Sequence, residues 1–291
     1  MPETQAAIVT GGGRGIGRAV AHALARDGFR LVLVARTAAE LERVAGEIRR
    51  LGGAAHTVSA DVSHPEDASR IARAALDTYG GIDVLVNAAG VYGPIGPMWD
   101  VDQNAWVRAI HVNLIGTFLC CRAVLPHMIE RRRGKIVNLS GGGATAPLPR
   151  FSAYGTSKAA VVRLTETLAE ETREFNVQVN AIAPGAVDTA LQDEVLAAGE
   201  RAGPLLERIR ALRTTGQGGV PPELAADLVA FLVSERADGL TGKLIAAPHD
   251  GWQSWDAARI TELRDSAWFT LRRLDRHTLL PLVKKAQEEQ G

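Results

Sequence analysis

The chain has 291 residues, a size that suits one large α/β domain. Lys+Arg and Asp+Glu balance at 33 each, so no net field draws it to nucleic acid or to an anionic membrane. Cys120 and Cys121 are adjacent in an apolar segment and point to different sides of a helix, so they do not bridge each other; two free thiols, with no basic apolar leader and no uninterrupted apolar run of roughly 18 residues, point to an unexported, cytoplasmic protein.

Short apolar, β-branched runs alternate with longer amphipathic segments. The predicted strands are Ala7–Thr10, Arg30–Ala35, His56–Ala60, Asp83–Asn87, Lys135–Leu139, Val177–Ile182 and Lys243–Ala246. Their continuous apolar character fits strands covered on both faces, the condition of a parallel sheet. Helical segments of roughly 12–28 residues lie between them. One is predicted to start at Ser63-His-Pro-Glu66, with Ser63 as cap, Pro65 in the first turn and Glu66 closing a capping box. This alternation implies an α/β fold, a doubly wound parallel sheet of about seven strands with helices on both faces. Residues 1–251 carry the pattern as a single domain. Residues 252–291 hold Trp252, Trp255 and Trp268, and aromatic residues so dense in a polar tail are expected to pack on the domain or on a neighbouring subunit.

Thr10-Gly-Gly-Gly-Arg-Gly-Ile-Gly17 follows the first strand and opens a helix. Glycines let the backbone approach phosphate, and the helix start offers free N–H groups and a positive dipole end. Gly11, Arg14, Gly15, Ile16 and Gly17 are therefore the expected dinucleotide loop. The second strand ends in Ala35-Arg36, with no carboxylate before Glu40 to accept a ribose 2′-OH. Arg36 and Arg14 suit a 2′-phosphate instead, so NADP(H) is favoured over NAD(H).

With Asn87-Ala-Ala-Gly90, Tyr154-x-x-x-Lys158 and Pro184-Gly185 following in order, residues 6 to about 251 resemble the short-chain dehydrogenase/reductase family. The resemblance implies a Rossmann-type domain and an NAD(P)-dependent oxidoreductase moving hydride between nicotinamide and an alcohol/carbonyl pair. Tyr154 is then the acid/base, and Lys158 lowers its pKa and binds the nicotinamide ribose. Asn113 is similar to the asparagine that holds a proton-relay water. Asp61 and Val62 resemble the adenine-contacting pair, and Asn87 and Gly90 the turn beside the cofactor, where Ala88 replaces a usual asparagine. Pro184, Gly185, Val187 and Thr189 match the segment embracing the nicotinamide. A redox-neutral epimerase or dehydratase, or a cofactor-sensing binding protein, are the rival readings. No metal is expected.

Tyr154 and Lys158 are four apart, hence on one helical face. A lysine cation there favours the phenolate against a reference pKa of about 10. In the family a catalytic serine stands roughly thirteen residues before the tyrosine, a position held here by Gly141. Ser140 is one residue earlier and, in strict register, faces away. Either a bulge at Gly141-Gly-Gly143 redirects Ser140, or backbone N–H groups of the glycine run hold the oxyanion, or Ser152 serves. Residues 189–222 resemble the substrate lid, with a hinge expected at Gln217-Gly-Gly219. Trp99 and Trp106 are candidate pocket residues or core. Leu114, Phe118, Cys121 and Leu125 form an apolar stripe suited to a homodimer or homotetramer. The substrate is expected to be a small or medium polar alcohol or carbonyl compound.

Overall fold

The computed structural model describes residues 5–215 and 219–273. Its strands are β1 (Ala6–Thr10), β2 (Arg30–Ala35), β3 (Ala55–Ser59), β4 (Val84–Asn87), β5 (Gly134–Leu139), β6 (Val177–Ala183) and β7 (Leu244–Ala246). They form one sheet in the order β3-β2-β1-β4-β5-β6-β7, every neighbouring pair parallel. The helices are α1 (Gly15–Arg26), α2 (Ala38–Arg50), α3 (Pro65–Tyr79), α4 (Gln103–Ile110), α5 (Gly116–Glu130), α6 (Ser152–Thr172), α7 (Ala190–Ala198), α8 (Pro204–Thr215), α9 (Pro222–Val233) and α10 (Ala257–Arg264).

Alternate strand residues feed opposite faces of the sheet. Val9, Leu31, Leu33 and Val86 pack under Leu24 of α1, Leu41 of α2 and Val229 of α9. Ile8, Val32, Val34 and Leu85 pack under Ile71 of α3 and Val124 of α5. Both faces are apolar, which is why the strands read as unbroken hydrophobic runs rather than as alternating ones. The strand order reverses between β1 and β4, and a cleft opens at the carboxyl ends there.

The start of α3 differs from expectation. Its first residue is Pro65, after His64, and Ser63 does not cap it. The Ser63 hydroxyl and amide instead donate to Asp61 Oδ1 at 2.7 and 3.0 Å, and Asp67 Oδ2, not Glu66, reaches back to accept the Asp61 amide at 2.7 Å. The helical run Gln103–Glu130, mean hydropathy 1.5 over its most apolar window, is long and apolar enough to cross a membrane by length and composition. Here it lies on the sheet as a core helix, with Leu119, Cys120 and Cys121 buried. Cys121 faces the sheet while Phe118 is 43% exposed, so the stripe through both residues is not a single outward face.

Beyond β7 the chain turns back onto the domain. Trp252 donates from its indole to the Ala247 carbonyl at 3.0 Å and lies against Phe231 at 5.5 Å. Trp255 meets Phe231 and, at 5.3 Å, Phe269. The Leu244 amide donates to the Phe269 carbonyl at 2.7 Å, so the returning chain covers the edge of β7.

Candidate active site

The cleft measures about 550 Å³ and runs from the end of β2 across β1 and β4 to β5 and β6. At one end the loop after β1 bends round two close approaches. A Cβ on Gly17 would stand 2.2 Å from the Gly11 carbonyl oxygen, so the helix can begin against the loop only without a side chain. Thr10, below the loop, accepts from the Ala88 and Ala89 amides at 3.1 and 3.2 Å. That hydroxyl fastens the β4 turn where Ala88 provides no side-chain amide, a role the sequence reading missed. Gly11, Arg14, Gly15, Ile16, Gly17, Arg36, Asp61, Val62, Gly90, Pro184, Gly185, Val187 and Thr189 all border the cleft. A glycine cradle that any Cβ would fill, at a helix start, fits a dinucleotide pyrophosphate.

Asn87 does not border the cleft. Its carboxamide is buried and donates to Asn138 Oδ1 at 2.9 Å, joining β4 to β5. Asn113 also lies beneath. It sits within a five-residue π turn, His111–Ile115, that joins α4 to α5. Its carboxamide accepts from the Val91 amide at 2.9 Å and donates at 2.9 Å to both the Val91 carbonyl and the Ser157 hydroxyl. The turn after β4 and α6 are thus pinned by one side chain. Ser157, which in turn donates to the Tyr154 carbonyl at 2.7 Å, is a second residue the motif reading passed over.

Tyr154 and Lys158 face the cleft from one side of α6. Lys158 Nζ donates to the Leu139 carbonyl at 2.7 Å and lies 5.6 Å from the Tyr154 ring centre. Burial lowers the Lys158 pKa to about 8. Burial, and then the neighbouring Tyr92 phenol, raise that of Tyr154 above its ordinary value. The lowering expected from the lysine does not show here, and desolvation sets the direction. Tyr92 stands edge-on to Tyr154 with ring centres 4.7 Å apart.

The strand end keeps its register. The Ser140 amide donates to the Ile182 carbonyl at 2.8 Å, continuing the β5–β6 ladder without a bulge. Ser140 borders the cleft, but is 2% exposed and donates its hydroxyl to the Lys158 carbonyl at 3.3 Å. Gly141 is the residue directed at Tyr154: a Cβ there would lie 2.3 Å from the phenolic oxygen. Among the described residues no acceptor meets the amides of Gly141, Gly142 or Gly143. Ser152 accepts from the Trp106 indole at 3.1 Å, and Trp99 is 88% exposed; none of the three borders the cleft. The lid segment carries α7 and α8, tied down where Arg213 pairs with Asp188 at 2.9 Å and Asp193 at 2.7 Å. Gln217 and Gly218 of the expected hinge lie outside the described residues.

A doubly wound sheet with a phosphate loop at its switch point, and beside it a half-buried tyrosine paired with a buried lysine, defines a nicotinamide-dependent oxidoreductase. The short chain dehydrogenase family model matches residues 5–199. The 2-(S)-hydroxypropyl-CoM dehydrogenase 3 of Xanthobacter autotrophicus is 35% identical over 82% of this chain and 92% of its own. Among solved structures, NAD+-bound xylitol dehydrogenase superposes with a TM-score of 0.78 at 28% identity, covering 84% of this chain and 98% of its own. Actinorhodin polyketide ketoreductase with NADPH does so with a TM-score of 0.78 at 29% identity, covering 84% and 96%. The chain belongs to the short-chain dehydrogenase/reductase family and is an NAD(P)-dependent oxidoreductase acting on CH–OH groups of small molecules.

Proposed function

We propose that the chain is an NADP(H)-linked reductase or dehydrogenase in which Tyr154 exchanges the proton of the reacting oxygen and the Gly141-Gly-Gly143 backbone holds that oxygen. The approach of Gly141 to the Tyr154 phenol carries the reading, because it leaves the place of a serine side chain to the tyrosine itself. Gly11, Gly15, Ile16 and Gly17 would hold the pyrophosphate, Asp61 and Val62 the adenine, and Pro184, Gly185, Val187 and Thr189 the nicotinamide. Gly90 lines the path between them. When bound, the nicotinamide supplies or accepts the hydride.

Burial holds the Tyr154 phenol in its protonated form, the form that donates in the reduction direction. Lys158 has one proton committed to the Leu139 carbonyl and others free to stabilise a phenolate and bind the ribose. Asn113 positions the helix that carries both, and Asn87 braces the turn from below. Free amides near a developing alkoxide supply the stabilisation that a hydroxyl gives elsewhere. Ser140, whose hydroxyl is held by the helix, supports the site rather than the substrate.

Support for NADP(H) comes from two exposed cations that border the cleft, Arg14 and Arg36, the latter bearing on Asp61, with Arg43 propped on the Gly13 carbonyl at 3.2 Å. A homodimer or homotetramer in the cytoplasm completes the proposal, the exposed Val107 and Phe118 of α4 and α5 being its apolar support. Michaelis constants for NADPH and NADH against a ketone panel test it, together with Tyr154→Phe. The expected result is NADPH preference and loss of turnover with cofactor binding intact. A clear NADH preference sinks the cofactor assignment, and retained turnover sinks that of Tyr154.

A further inference from the structure

We infer that Gln192 and Tyr92 form a recognition site for a hydroxyl group carried by the substrate beside its reacting carbonyl, so that the enzyme is built for α-hydroxy ketones and the matching vicinal diols. The inference rests on the catalytic assignment of Tyr154.

Gln192 stands in the first turn of α7 and borders the cleft while only 6% exposed. Its Nε2 donates to the Val187 carbonyl at 3.2 Å, which fixes the orientation of the carboxamide. Its Oε1 is then buried, and among the described residues no donor meets it. Buried amide oxygens are almost always satisfied, because leaving one bare forfeits its hydration with no bond in return. An oxygen left so in the wall of a binding cleft is an acceptor awaiting an O–H or N–H.

Tyr92 is the other polar group of that wall. It is 8% exposed, borders the cleft and rests between Tyr154 and Phe151. Burial and then the Glu194 carboxylate push its pKa up to about 12, against the lowering effect of a side-chain hydrogen bond with Gln192. The phenol therefore keeps its proton at working pH, donating to a substrate oxygen while the Gln192 Oε1 accepts from it. Ring centres 4.7 Å apart set Tyr92 beside Tyr154, and the link to Tyr92 brings Gln192 into the same corner of the cleft.

The Glu194 carboxylate bears on Tyr92, and the exposed Arg14 bears on Glu194 in turn. Leu191 lines the cleft beside them, backed by Leu148, Phe151 and Val195 in one apolar cluster. A site that hydrogen-bonds a hydroxyl rejects the analogue lacking it far more strongly than it rejects a change of bulk.

The test compares NADPH-dependent reduction of 2-hydroxycyclohexanone and cyclohexanone by the wild type, Gln192→Leu and Gln192→Glu, with cofactor affinity followed by nicotinamide fluorescence. The wild type is expected to favour the hydroxy ketone by at least about tenfold in kcat/KM. Gln192→Leu should bring that ratio close to one, and Gln192→Glu should keep most of it. Equal rates in the wild type, a ratio that survives Gln192→Leu, or turnover of neither ketone with NADPH bound would each overturn the inference. So would an unchanged ratio with weakened NADPH affinity in Gln192→Leu, which would give the acceptor to the nicotinamide carboxamide. Absence of NADPH binding by the wild type would strike the catalytic reading instead.

Discussion

The Tyr154 phenolic oxygen lies 2.3 Å from the point where a side chain at Gly141 would begin. No Cβ can stand at that distance, so the space a side chain at position 141 would need is filled by the tip of Tyr154. Gly141→Ser is expected to displace Tyr154 and to lower kcat by roughly 100-fold or more rather than to restore a missing group. Ser140→Ala removes a hydroxyl bonded to the Lys158 carbonyl, and is expected to change kcat less than about threefold. Steady-state kinetics of the two variants decides the assignment: faster turnover in Gly141→Ser, or a collapse in Ser140→Ala, reverses it.

The glycine run offers a sharper contrast one residue on. A Cβ on Gly142 meets nothing within 4 Å, so Gly142→Ala should leave kcat nearly unchanged. Gly142→Pro deletes the N–H, and the loss of one oxyanion donor lowers kcat by about 10²–10³-fold. Equal kcat values for the alanine and proline variants would remove this amide from the mechanism.

Much of this architecture was legible in the chain. Each of the seven strands lies within a residue or so of its hydrophobic run, because strands buried on both faces leave a signal that needs no partner to read. Ser63 misled because a serine before a proline is a cap only if its hydroxyl is free, and Asp61 takes it. Tyr154 and Lys158 were visible through helical spacing, but their electrostatics were not: desolvation depends on what closes over them, and the Tyr92 phenol, far away in sequence, adds a charge effect of its own. Gln192 carried no motif, and Thr10 stood only as the opening of the glycine loop. The buried Gln192 oxygen and the two amides that meet Thr10 across a turn are placed only by the packed chain.

Cofactor choice is expected to turn on Arg36. A carboxylate at the end of β2 accepts from a ribose 2′-OH and repels a 2′-phosphate. Arg36→Asp should therefore raise KM for NADPH by at least about tenfold and lower that for NADH. Unchanged constants for both cofactors would assign Arg36 to the solvated surface.

Lys158 makes a prediction about stability and pH. Its pKa falls from about 10.5 in the unfolded chain to about 8 in the fold through burial. Between those values the unfolded state binds the additional proton, so stability rises as pH increases from 8 toward 10.5, and is lower by a constant amount beneath that window. The relief amounts to about 3 kcal/mol at most, at roughly 1.4 kcal/mol per pH unit. Lys158→Met should be inactive yet more stable than the wild type near neutral pH, with a smaller rise at high pH. Urea unfolding at pH 7 and 9.5 measures this, and equal pH dependence in both proteins would contradict a buried, destabilising lysine.

The returning chain after β7 is expected to be part of the domain's stability. Trp255 is 7% exposed, wedged between Phe231 of α9 and Phe269, whose carbonyl takes the Leu244 amide of the edge strand. Trp255→Ala opens a cavity in that contact and should cost about 3–5 kcal/mol. The loss of Phe269's support also unpins the edge of β7, which lies beside the nicotinamide strand β6. Unfolding should therefore occur at lower urea, and saturating cofactor should recover part of the difference, because ligand binds only the folded form. A Trp255→Ala protein with wild-type unfolding would mean that the segment rests on the domain without holding it together.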